Sequence, residues 1–364
     1  MTAPASPSVS DLVAANLSLA PGQPQPLIAI GSGTIDRLAS SLDASGCDAG
    51  SPFVITGSGP SAVHGRRVAR LLTARGIRPS LGSDSGGSVE SADLVAEQLR
   101  RNGSTLVLGV GGGRVLDVAK YAAWAAGVDY IAVPTSLAHD GIFSPVASLS
   151  QRGTRTSFGT ATPRGLVLDT ELVATAPAET VQAGVGDLLS NITAVLDWQL
   201  SAARRDEEYL PAVAAMALGA VDCYVSSAWA PSGDRLLGLA EGLVLSGLAM
   251  SLAGTSRPCS GAEHLVSHSL DRLLGRSARM HGHQVALGTL VALAAHGEDA
   301  VQIRELYAAA DVPRRPADLG LTEELFLQAL ELAPSCRPDR YTVLTEISQD
   351  RPALAELMRE AFVG

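Results

Sequence analysis

Two hydrophobic patterns divide this chain near Asp169, and each is typical of a different architecture. From Leu27 to about Asp169, short apolar runs rich in β-branched residues alternate with segments of helical spacing. A parallel sheet with crossover helices requires this alternation. Beyond Asp169 the segments become long and rich in Ala and Leu, with few β-branched runs. We therefore predict an α/β region followed by an all-α region.

The length of 364 residues suits two domains of ordinary size. We place an α/β domain at 27–170 and a helical domain at 171–364, after an Ala-, Ser- and Pro-rich arm at 1–26 that should be flexible. Ser83–Ser88 is predicted to be a loop by composition. The predicted strands are Leu27–Ile30, Phe53–Thr56, Thr105–Val110, Tyr130–Pro134 and Gly165–Asp169. The predicted helices are Ala62–Arg75, Ser88–Arg101, Arg114–Ala126, Gly186–Arg204, Pro211–Ala230, Asp234–Ala253, Gly261–Leu274 and His283–His296.

Charge and composition exclude several kinds of partner. The formal net charge of −10 works against nucleic acid, because affinity for phosphates depends on Lys and Arg. No run approaches the roughly 18 uninterrupted apolar residues that span a bilayer, and the N-terminus lacks the features of a secretory signal. The four cysteines have no CxxC spacing, which favours reduced thiols. We expect a cytoplasmic protein that binds no nucleic acid and inserts into no membrane.

A glycine-rich segment, Gly109–Lys120, ends one predicted strand and opens the next helix. Glycines at 111, 112 and 113 allow the backbone to approach a pyrophosphate, and the first N–H groups of the helix favour its negative charge. Three consecutive glycines depart from the GxGxxG spacing, so a purely structural turn is the alternative. The strand-turn-helix context favours phosphate binding and a Rossmann-like, nucleotide-binding role for residues 27–170.

The end of the second predicted strand bears on the choice between NAD and NADP. Dinucleotide folds often place a carboxylate there to bind the adenosine ribose, whereas this chain continues as Gly57-Ser58-Gly59. Ser58, His64, Arg66 and Arg67 lie nearby in sequence. We predict that NADPH is accepted, with NAD as the other candidate cofactor. The alternative is that Arg66 and Arg67 belong only to a solvated helix face.

Residues with metal-ligand character cluster in the second half. Among seven histidines, His264 and His268 lie one turn apart on a predicted helix, and His281 heads the region of the next one. Asp187 supplies a carboxylate in another helical segment. Each residue alone is more often structural, but their joint occurrence predicts a reaction centre around one divalent metal, since open catalytic sites use such ligands.

Five segments share residues with one enzyme family. The most specific are Gly-Asp-Leu-Leu-Ser-Asn at 186–191 and Ser-Arg-Pro at 256–258, followed by Glu263-His264 and His268. Through these segments the chain resembles the sn-glycerol-1-phosphate dehydrogenases, a branch of the superfamily of iron-containing alcohol dehydrogenases, glycerol dehydrogenases and dehydroquinate synthases. The resemblance covers both domains and implies a dehydroquinate synthase-like architecture. The segments are Gly111–Lys120, Val133–Pro145, Gly184–Trp198, Ser256–His264 with His268, and His281–Gln284.

Carried over by position, the resemblance implies a metal bound by Asp187, His264 and His281. Zinc is expected first, with nickel or iron as alternatives. Asn191 stands where some superfamily members have a histidine four residues after the aspartate, which suits three ligands. His268 is then expected beside the metal as a supporting or proton-relay group, which makes it a candidate catalytic and substrate-binding residue. Cofactor contacts are expected at Gly57, Ser58, Gly111, Gly112, Gly113, Asp117, Thr135 and Ser136.

The resemblance implies a small-molecule substrate and a reversible reaction, the NAD(P)-linked reduction of dihydroxyacetone phosphate to sn-glycerol 1-phosphate. Asp140 matches a family position near the substrate hydroxyls and is the second candidate catalytic residue. Arg257 is the first candidate for binding the substrate phosphate, and a structural role in capping or ion pairing is equally open. The family also suggests a homo-oligomer.

Three other functions stay open at this point. A dehydrogenase of an unphosphorylated polyol or secondary-metabolite ketone would keep the same metal and cofactor. A cyclising lyase like dehydroquinate synthase would use bound NAD without net turnover, but no matching Glu pattern for its metal ligands can be placed here. A non-enzymatic binding paralogue is opposed by the complete ligand set.

Overall fold

The computed structural model describes residues 26–84, 86–230 and 233–362. The chain divides into two compact units: the first ends at Ala176, and the second runs from Pro177 and includes Ala138–Asp140. A parallel sheet with helices forms the first unit, and among the described residues after Asp169 there are helices but no strands. The predicted fold class is confirmed. The proposed N-terminal arm lies, except for Pro26, outside the described residues.

Six parallel strands form the sheet of the first unit in the order β1-β8-β5-β4-β2-β3. The chain moves outward from β2 to β3 and then crosses back to β4 and β5, so the direction of winding reverses between β2 and β4. Ligands of open α/β sheets bind at the carboxyl ends of the strands at such a reversal. The strands are β1 (Leu27–Gly31), β2 (Pro52–Gly57), β3 (Ser80–Asp84), β4 (Leu106–Gly111), β5 (Asp129–Pro134) and β8 (Gly165–Asp169).

The edge strand β3 was not predicted, and the proposed loop at Ser83–Ser88 is wrong for its first two residues. Ser83 and Asp84 pair with Thr56 and Gly57 of β2. The strand lacks an apolar run because it lies at the edge, and Gly82 is needed where a β-carbon would lie 2.5 Å from the ring of Phe53. Packing beneath that ring, which composition does not reveal, decides the structure here.

An antiparallel hairpin, β6 (Val146–Gln151) and β7 (Thr154–Gly159), was also missed. Its two turn residues, Arg152 and Gly153, both have positive φ angles, 51° and 82°. Positive φ at both central positions is typical of the tight turn that suits the twist of a two-residue hairpin.

Helices cover the sheet and build the second unit. The first unit contains α1 (Leu38–Ser45), α2 (Ser61–Ala74), α3 (Val89–Arg101), α4 (Gly113–Ala126) and α5 (Thr170–Val173). The second contains α6 (Ala178–Leu189), α7 (Asn191–Arg205), α8 (Pro211–Trp229), α9 (Arg235–Ala253), α10 (Ala262–Leu274), α11 (His281–His296), α12 (Val301–Ala309), α13 (Glu323–Cys336), α14 (Val343–Ile347) and α15 (Arg351–Phe362).

The helix predicted at Gly186–Arg204 is two helices. α6 begins eight residues before Gly186, and the chain breaks at Ser190 before α7. The Ser190 hydroxyl donates to the carbonyl oxygen of Asp187 at 2.6 Å, and such a local bond competes with regular helical hydrogen bonding. Asp187 therefore lies in the last turn of α6 and not at the start of a helix, as the predicted bounds Gly186–Arg204 had suggested.

Two helices, α8 and α9, are long and apolar enough to cross a membrane by length and composition, with mean hydropathies of 1.3 and 1.8. They pack against each other within the second unit. Two thirds of the apolar window of α9 is buried inside the protein, which is typical of a core helix in a soluble protein.

Candidate metal centre and cofactor-binding edge

Three side chains from three helices meet in the second unit. Asp187 lies in the last turn of α6, His264 in the first turn of α10, and His281 is the first residue of α11. One ligand atom of each lies within 4.8 Å of the other two. The Nε2 atoms of His264 and His281 are 3.5 and 3.7 Å from Oδ1 of Asp187. The structure thus brings together the three residues that the sequence suggested as metal ligands.

Glycines next to two of these residues allow their helices to approach. A β-carbon at Gly186 would lie 2.2 Å from the carbonyl oxygen of Gly282, and one at Gly282 would lie 1.8 Å from the carbonyl oxygen of Ala183. Contacts that short cannot be accommodated without moving backbone. The two glycines therefore set the close packing of α6 on α11 that places Asp187 beside His281.

One carboxylate oxygen of Asp187 faces the two imidazoles and makes no hydrogen bond. Its Oδ2 accepts the backbone N–H of Asp140 at 2.9 Å, whereas the buried Oδ1 has no hydrogen-bond partner. Leaving a buried carboxylate oxygen unsatisfied is costly. A cation would compensate that cost, and one carboxylate with two imidazoles is a donor set typical of catalytic zinc sites. The residues present therefore fit a divalent metal ion.

Glu263 orients the ring of His264. The carboxylate is fully buried, and its Oε1 lies 3.0 Å from Nδ1 of His264. The same oxygen accepts a hydrogen bond from the Gly261 N–H. Its Oε2 accepts the hydroxyl of Thr193 at 2.8 Å. Because an ionised carboxylate only accepts hydrogen bonds, His264 carries its proton on Nδ1 here. Nε2 of His264 is then the ring nitrogen that faces Asp187.

The surroundings of the cluster shift the pKa values of His264 and His281 in opposite directions. Burial lowers the pKa of His264, but the negative charges of Asp187 and Glu263 and the contact with Glu263 at Nδ1 outweigh it and raise the pKa to about 10. Burial and the neighbouring His264 hold the pKa of His281 well below its usual value. Since a metal ligand must be deprotonated, a proton competes with a cation for His264.

His268 lies beside this cluster and not within the group of three donors. It is on α10, one turn after His264, and its ring stacks on that of His281 with centroids 6.1 Å apart. His139 is a further neighbour, because its charge contributes to the lowered pKa values of Asp187 and His281. The site thus combines ligand candidates with additional imidazoles.

Asp140 and Asn191 belong to a chain of contacts that ends on Asp187. Oδ2 of Asp140 accepts the Ser246 hydroxyl at 2.9 Å, while its backbone N–H holds Asp187. The Asn191 amide donates to Ser246 Oγ at 3.2 Å and to the carbonyl oxygen of Ala217 at 3.1 Å. Asn191 therefore supports the turn that fixes the acidic ligand, in the position where some superfamily members have a histidine.

Arg257 is placed differently from the phosphate-binding role suggested for it. Its side chain is 2% exposed. Nε donates to Glu207 at 2.7 Å, and the other guanidinium nitrogens donate to Glu207, Ser201 and the carbonyl oxygen of Tyr341. Its charge is paired and its donors are occupied inside the unit, which favours the structural role that the sequence left open for Arg257 over a contact with the substrate phosphate.

In the first unit, glycines gather at the carboxyl ends of β2 and β4, where the winding reverses. A β-carbon at Gly57 would lie 3.2 Å from Val115, and one at Gly111 would lie 2.6 Å from the same residue. Helix α4 begins after Gly112 without a side-chain cap, and the N-terminus of a helix is a favourable site for an anion. This edge has the features of a phosphate-binding turn.

The other proposed cofactor contacts fall into two groups. Thr135 and Ser136 follow β5 beside the glycines: Thr135 N–H donates to Gly111 at 2.9 Å, and a β-carbon at Gly112 would lie 3.0 Å from Ser136 Oγ. Ser58 is exposed just beyond β2. Asp117 is instead buried at 1% exposure, 3.8 Å from the Lys120 ammonium group, and this placement favours a structural role over the predicted cofactor contact.

The basic residues proposed to favour NADPH lie on α2. Arg66 is exposed, and Arg67 donates to the carboxylate of Asp36 at 2.6 Å. Both members of that ion pair are well exposed, at 41% and 57%, so the pair contributes little to stability.

Sequence reasoning missed Glu263, Ser267 and Gln284 as residues of this site. Their spacing carried a signal, because Ser267 follows His264 by three residues and Gln284 follows His281 by three. Residues three apart on a helix share a face. A polar residue on the same helix face as a ligand is a candidate member of the site, and this spacing indicates Ser267 and Gln284 but not Glu263, which directly precedes His264.

Comparisons with known proteins show which family the chain is similar to. The sequence profile of the iron-containing alcohol dehydrogenase family matches residues 21–177. The chain is 37% identical over 335 residues to a glycerol-1-phosphate dehydrogenase [NAD(P)+] of Hyperthermus butylicus, covering 91% of this chain and 95% of that protein. It is 37% identical over 298 residues to the Methanosarcina mazei protein of the same name, covering 81% and 83%.

Solved structures share the fold at lower identity. A probable glycerol dehydrogenase from Sinorhizobium meliloti superposes with a TM-score of 0.71 at 23% identity, over 92% of this chain and 98% of that one. A sulfoacetaldehyde reductase from Bifidobacterium kashiwanohense, solved in complex with NAD+, gives 0.70 at 20% identity, over 93% and 97%. By its identity to the curated relatives over most of their length, the chain belongs to the glycerol-1-phosphate dehydrogenase family of the iron-containing alcohol dehydrogenases.

Proposed function

We propose that this protein is a metal-dependent, NAD(P)-linked dehydrogenase that interconverts dihydroxyacetone phosphate and sn-glycerol 1-phosphate. The observation that carries the proposal is the buried Asp187 oxygen facing the Nε2 atoms of His264 and His281. Relatives named for this activity match from 80% to more than 90% of the chain, which supports the choice of substrate.

Asp187, His264 and His281 would hold the metal, and the glycine edge of the first unit would hold the cofactor phosphates. When bound, the metal supplies a Lewis acid for the carbonyl oxygen, and the nicotinamide supplies the hydride. The protein contributes position and charge: Glu263 and Asp140 fix two of the ligands, and the burial of the cluster strengthens its electrostatic effects.

His268 is our candidate for the proton that the reduced oxygen requires. It lies beside His281 and outside the ligand group, and imidazole can exchange a proton near neutral pH. We assign Asp140 to the substrate hydroxyls, with its orientation held by Ser246. Neither residue is needed as a ligand, and we therefore assign both to the substrate.

Zinc is the metal we expect, with nickel and iron as alternatives, because imidazole suits all three. NADP and NAD are both proposed as cofactors. No carboxylate follows β2 at Gly57-Ser58-Gly59, which supports acceptance of the 2′-phosphate. We further propose a homo-oligomer in the cytoplasm.

The test is a cofactor-oxidation assay with dihydroxyacetone phosphate, dihydroxyacetone and glyceraldehyde 3-phosphate, each with NADPH and NADH. We expect turnover of dihydroxyacetone phosphate that chelation abolishes and added zinc restores, with sn-glycerol 1-phosphate as the chirally resolved product. Turnover that survives complete metal removal would contradict the mechanism. Strong rejection of NADPH would contradict the cofactor proposal alone.

A dehydrogenase of an unphosphorylated polyol or ketone is the second candidate. It is favoured by the burial of Arg257, because that residue was the phosphate contact suggested by the sequence. A kcat/KM for dihydroxyacetone equal to or above that for dihydroxyacetone phosphate would establish this alternative. Net oxidation of cofactor in either case excludes a lyase that regenerates bound NAD and a binding protein without activity.

A further inference from the structure

The side chain of Gln284 has a fixed direction inside the second unit. It is fully buried on α11, and its amide nitrogen lies 3.2 Å from Asp271 Oδ1 and 3.1 Å from the carbonyl oxygen of Arg279. Both of those atoms accept hydrogen bonds, so the NH₂ end of the amide must face them. The Oε1 end of Gln284 therefore faces the other way, toward Ser267.

This direction determines where the single hydroxyl proton of Ser267 goes. Ser267 is fully buried on α10, with Oγ 3.0 Å from Gln284 Oε1 and 2.8 Å from His281 Nδ1. Gln284 Oε1 can only accept, so Ser267 donates to it. Ser267 Oγ then has only lone pairs to offer His281, and Nδ1 of His281 must be the protonated nitrogen.

We infer that Ser267 and Gln284 are positioning residues that keep the proton of His281 on Nδ1 and so reserve its Nε2 lone pair for the metal. The inference rests on the proposed metal centre and deepens it. The hydrogen bonds from Ser267 and Gln284 are needed because Asp187 Oδ1 lies 3.7 Å from Nε2 of His281. Without them, that carboxylate would favour a proton on the nitrogen that has to bind the cation.

His281 thus differs from His264 in how its tautomer is set. His264 is held by a carboxylate, which in its ionised state can only accept a hydrogen bond. His281 is held by a hydroxyl, which can donate or accept, and only the next residue in the chain of bonds removes that ambiguity. Gln284 consequently acts on the ligand without touching it.

The experiment compares three variants with the wild type. Ser267→Ala removes the contact to His281, and Gln284→Met keeps Ser267 but removes the acceptor that directs its proton. Ser269→Ala is the matched control, because it deletes an equally buried hydroxyl from the same helix whose partner is Cys336 Sγ at 3.3 Å. Zinc affinity is measured by competition with a chromogenic chelator, and the ¹⁵N chemical shifts of His281 are measured in metal-free protein.

We expect the zinc dissociation constant to rise about 10- to 100-fold for Ser267→Ala and Gln284→Met, the usual effect of losing a ligand's hydrogen-bond partner. For Ser269→Ala we expect it to stay within about twofold of the wild type, because its partner is not a ligand. The ¹⁵N shifts should report an Nδ1–H tautomer in the wild type and in Ser269→Ala, and loss of that preference in the other two.

Two outcomes would overturn the inference. A folded Gln284→Met protein with wild-type affinity and an Nδ1–H tautomer would show that Ser267 alone holds the ring. An Nε2–H tautomer in the wild type would contradict the direction of the whole chain of bonds. Failure of the wild type to bind zinc, cobalt, nickel or iron at all is a different result, which would remove the metal centre itself.

Discussion

Gly186 and Gly282 face each other where α6 packs on α11, so that a β-carbon at residue 186 would lie 2.2 Å from the carbonyl oxygen of Gly282. Each glycine is the chain neighbour of a proposed ligand, Asp187 in one helix and His281 in the other. The absence of two side chains therefore determines the distance between two ligands.

Gly282→Ala should separate these helices. Its β-carbon would lie 1.8 Å from the carbonyl oxygen of Ala183, and overpacking of this kind costs typically about 1–3 kcal/mol of unfolding free energy. Urea unfolding would measure that loss, and chelator competition should show weaker zinc binding. Gly219→Ala in α8 is the control, because nothing lies within 4 Å of its added carbon; it should leave stability unchanged or raise it by about 0.4–1 kcal/mol. Similar behaviour of the two variants would refute the packing argument.

Asp187→Asn should abolish retention of the metal. The amide keeps the shape of the side chain and can still accept the Asp140 N–H, but it removes the negative charge that faces both histidines. We expect a loss of zinc affinity greater than the roughly 100-fold upper range seen for residues that only support a ligand. Elemental analysis of the purified protein would measure the metal content. Asp222→Asn, an exposed position on α8, should retain metal like the wild type, and retention by both variants would exclude Asp187 as a ligand.

Glu263→Gln should weaken metal binding without removing a ligand. The amide can still accept from His264 Nδ1, but the charge that supports that imidazole is lost. Changes to the partners of metal ligands typically cost about 10- to 100-fold in affinity. Isothermal titration of metal-free protein with zinc would measure the loss. Glu241→Gln, a half-buried carboxyl on α9, should leave affinity unchanged, and equal losses in the two variants would point to a general effect of charge.

Arg257→Ala should lower stability and leave substrate recognition intact. Removing one partner of a well-buried ion pair costs about 3–5 kcal/mol, and the partial exposure of Glu207, 34%, places this case below that range. Thermal unfolding would measure the loss, while the KM for dihydroxyacetone phosphate should stay near the wild-type value. Arg204→Ala, which breaks an exposed pair with Glu346, should cost at most about 1 kcal/mol. A sharp rise in KM at unchanged stability would instead support Arg257 as a contact of the substrate phosphate.

The regular elements of this protein were largely predictable because their signals are local. The buried strands β2 and β4 have continuous apolar runs, and periods of 2 and 3.6 residues distinguish strands from helices. The edge strand β3 and the hairpin β6–β7 were missed because their partly exposed strands contain Ser, Thr and Gly and carry little hydrophobic pattern. The break at Ser190 was missed because one hydroxyl bond decides it.

The residue types of the metal site were recognisable without coordinates, since His264, His268, His281 and Asp187 are distinctive in composition and spacing. The sequence could not separate ligands from neighbours by geometry. Whether an imidazole faces the acidic oxygen or stacks beside it depends on helix packing, and His268 takes the second position. The same limit applies to Arg257, whose charge suggested a phosphate contact and whose guanidinium group donates to Glu207 in the folded chain.

The sequence by itself determined the fold class, the family and the set of residues from which a metal site could be built, because hydrophobic periodicity and short motifs are properties of neighbouring positions. Only the tertiary structure decided which of those residues meet and which nitrogen of each imidazole faces the acidic oxygen. It also decided which charged side chains form internal ion pairs. Those outcomes depend on contacts between positions up to about a hundred residues apart, such as Asp187 with His281, and no local pattern along the chain encodes their distances.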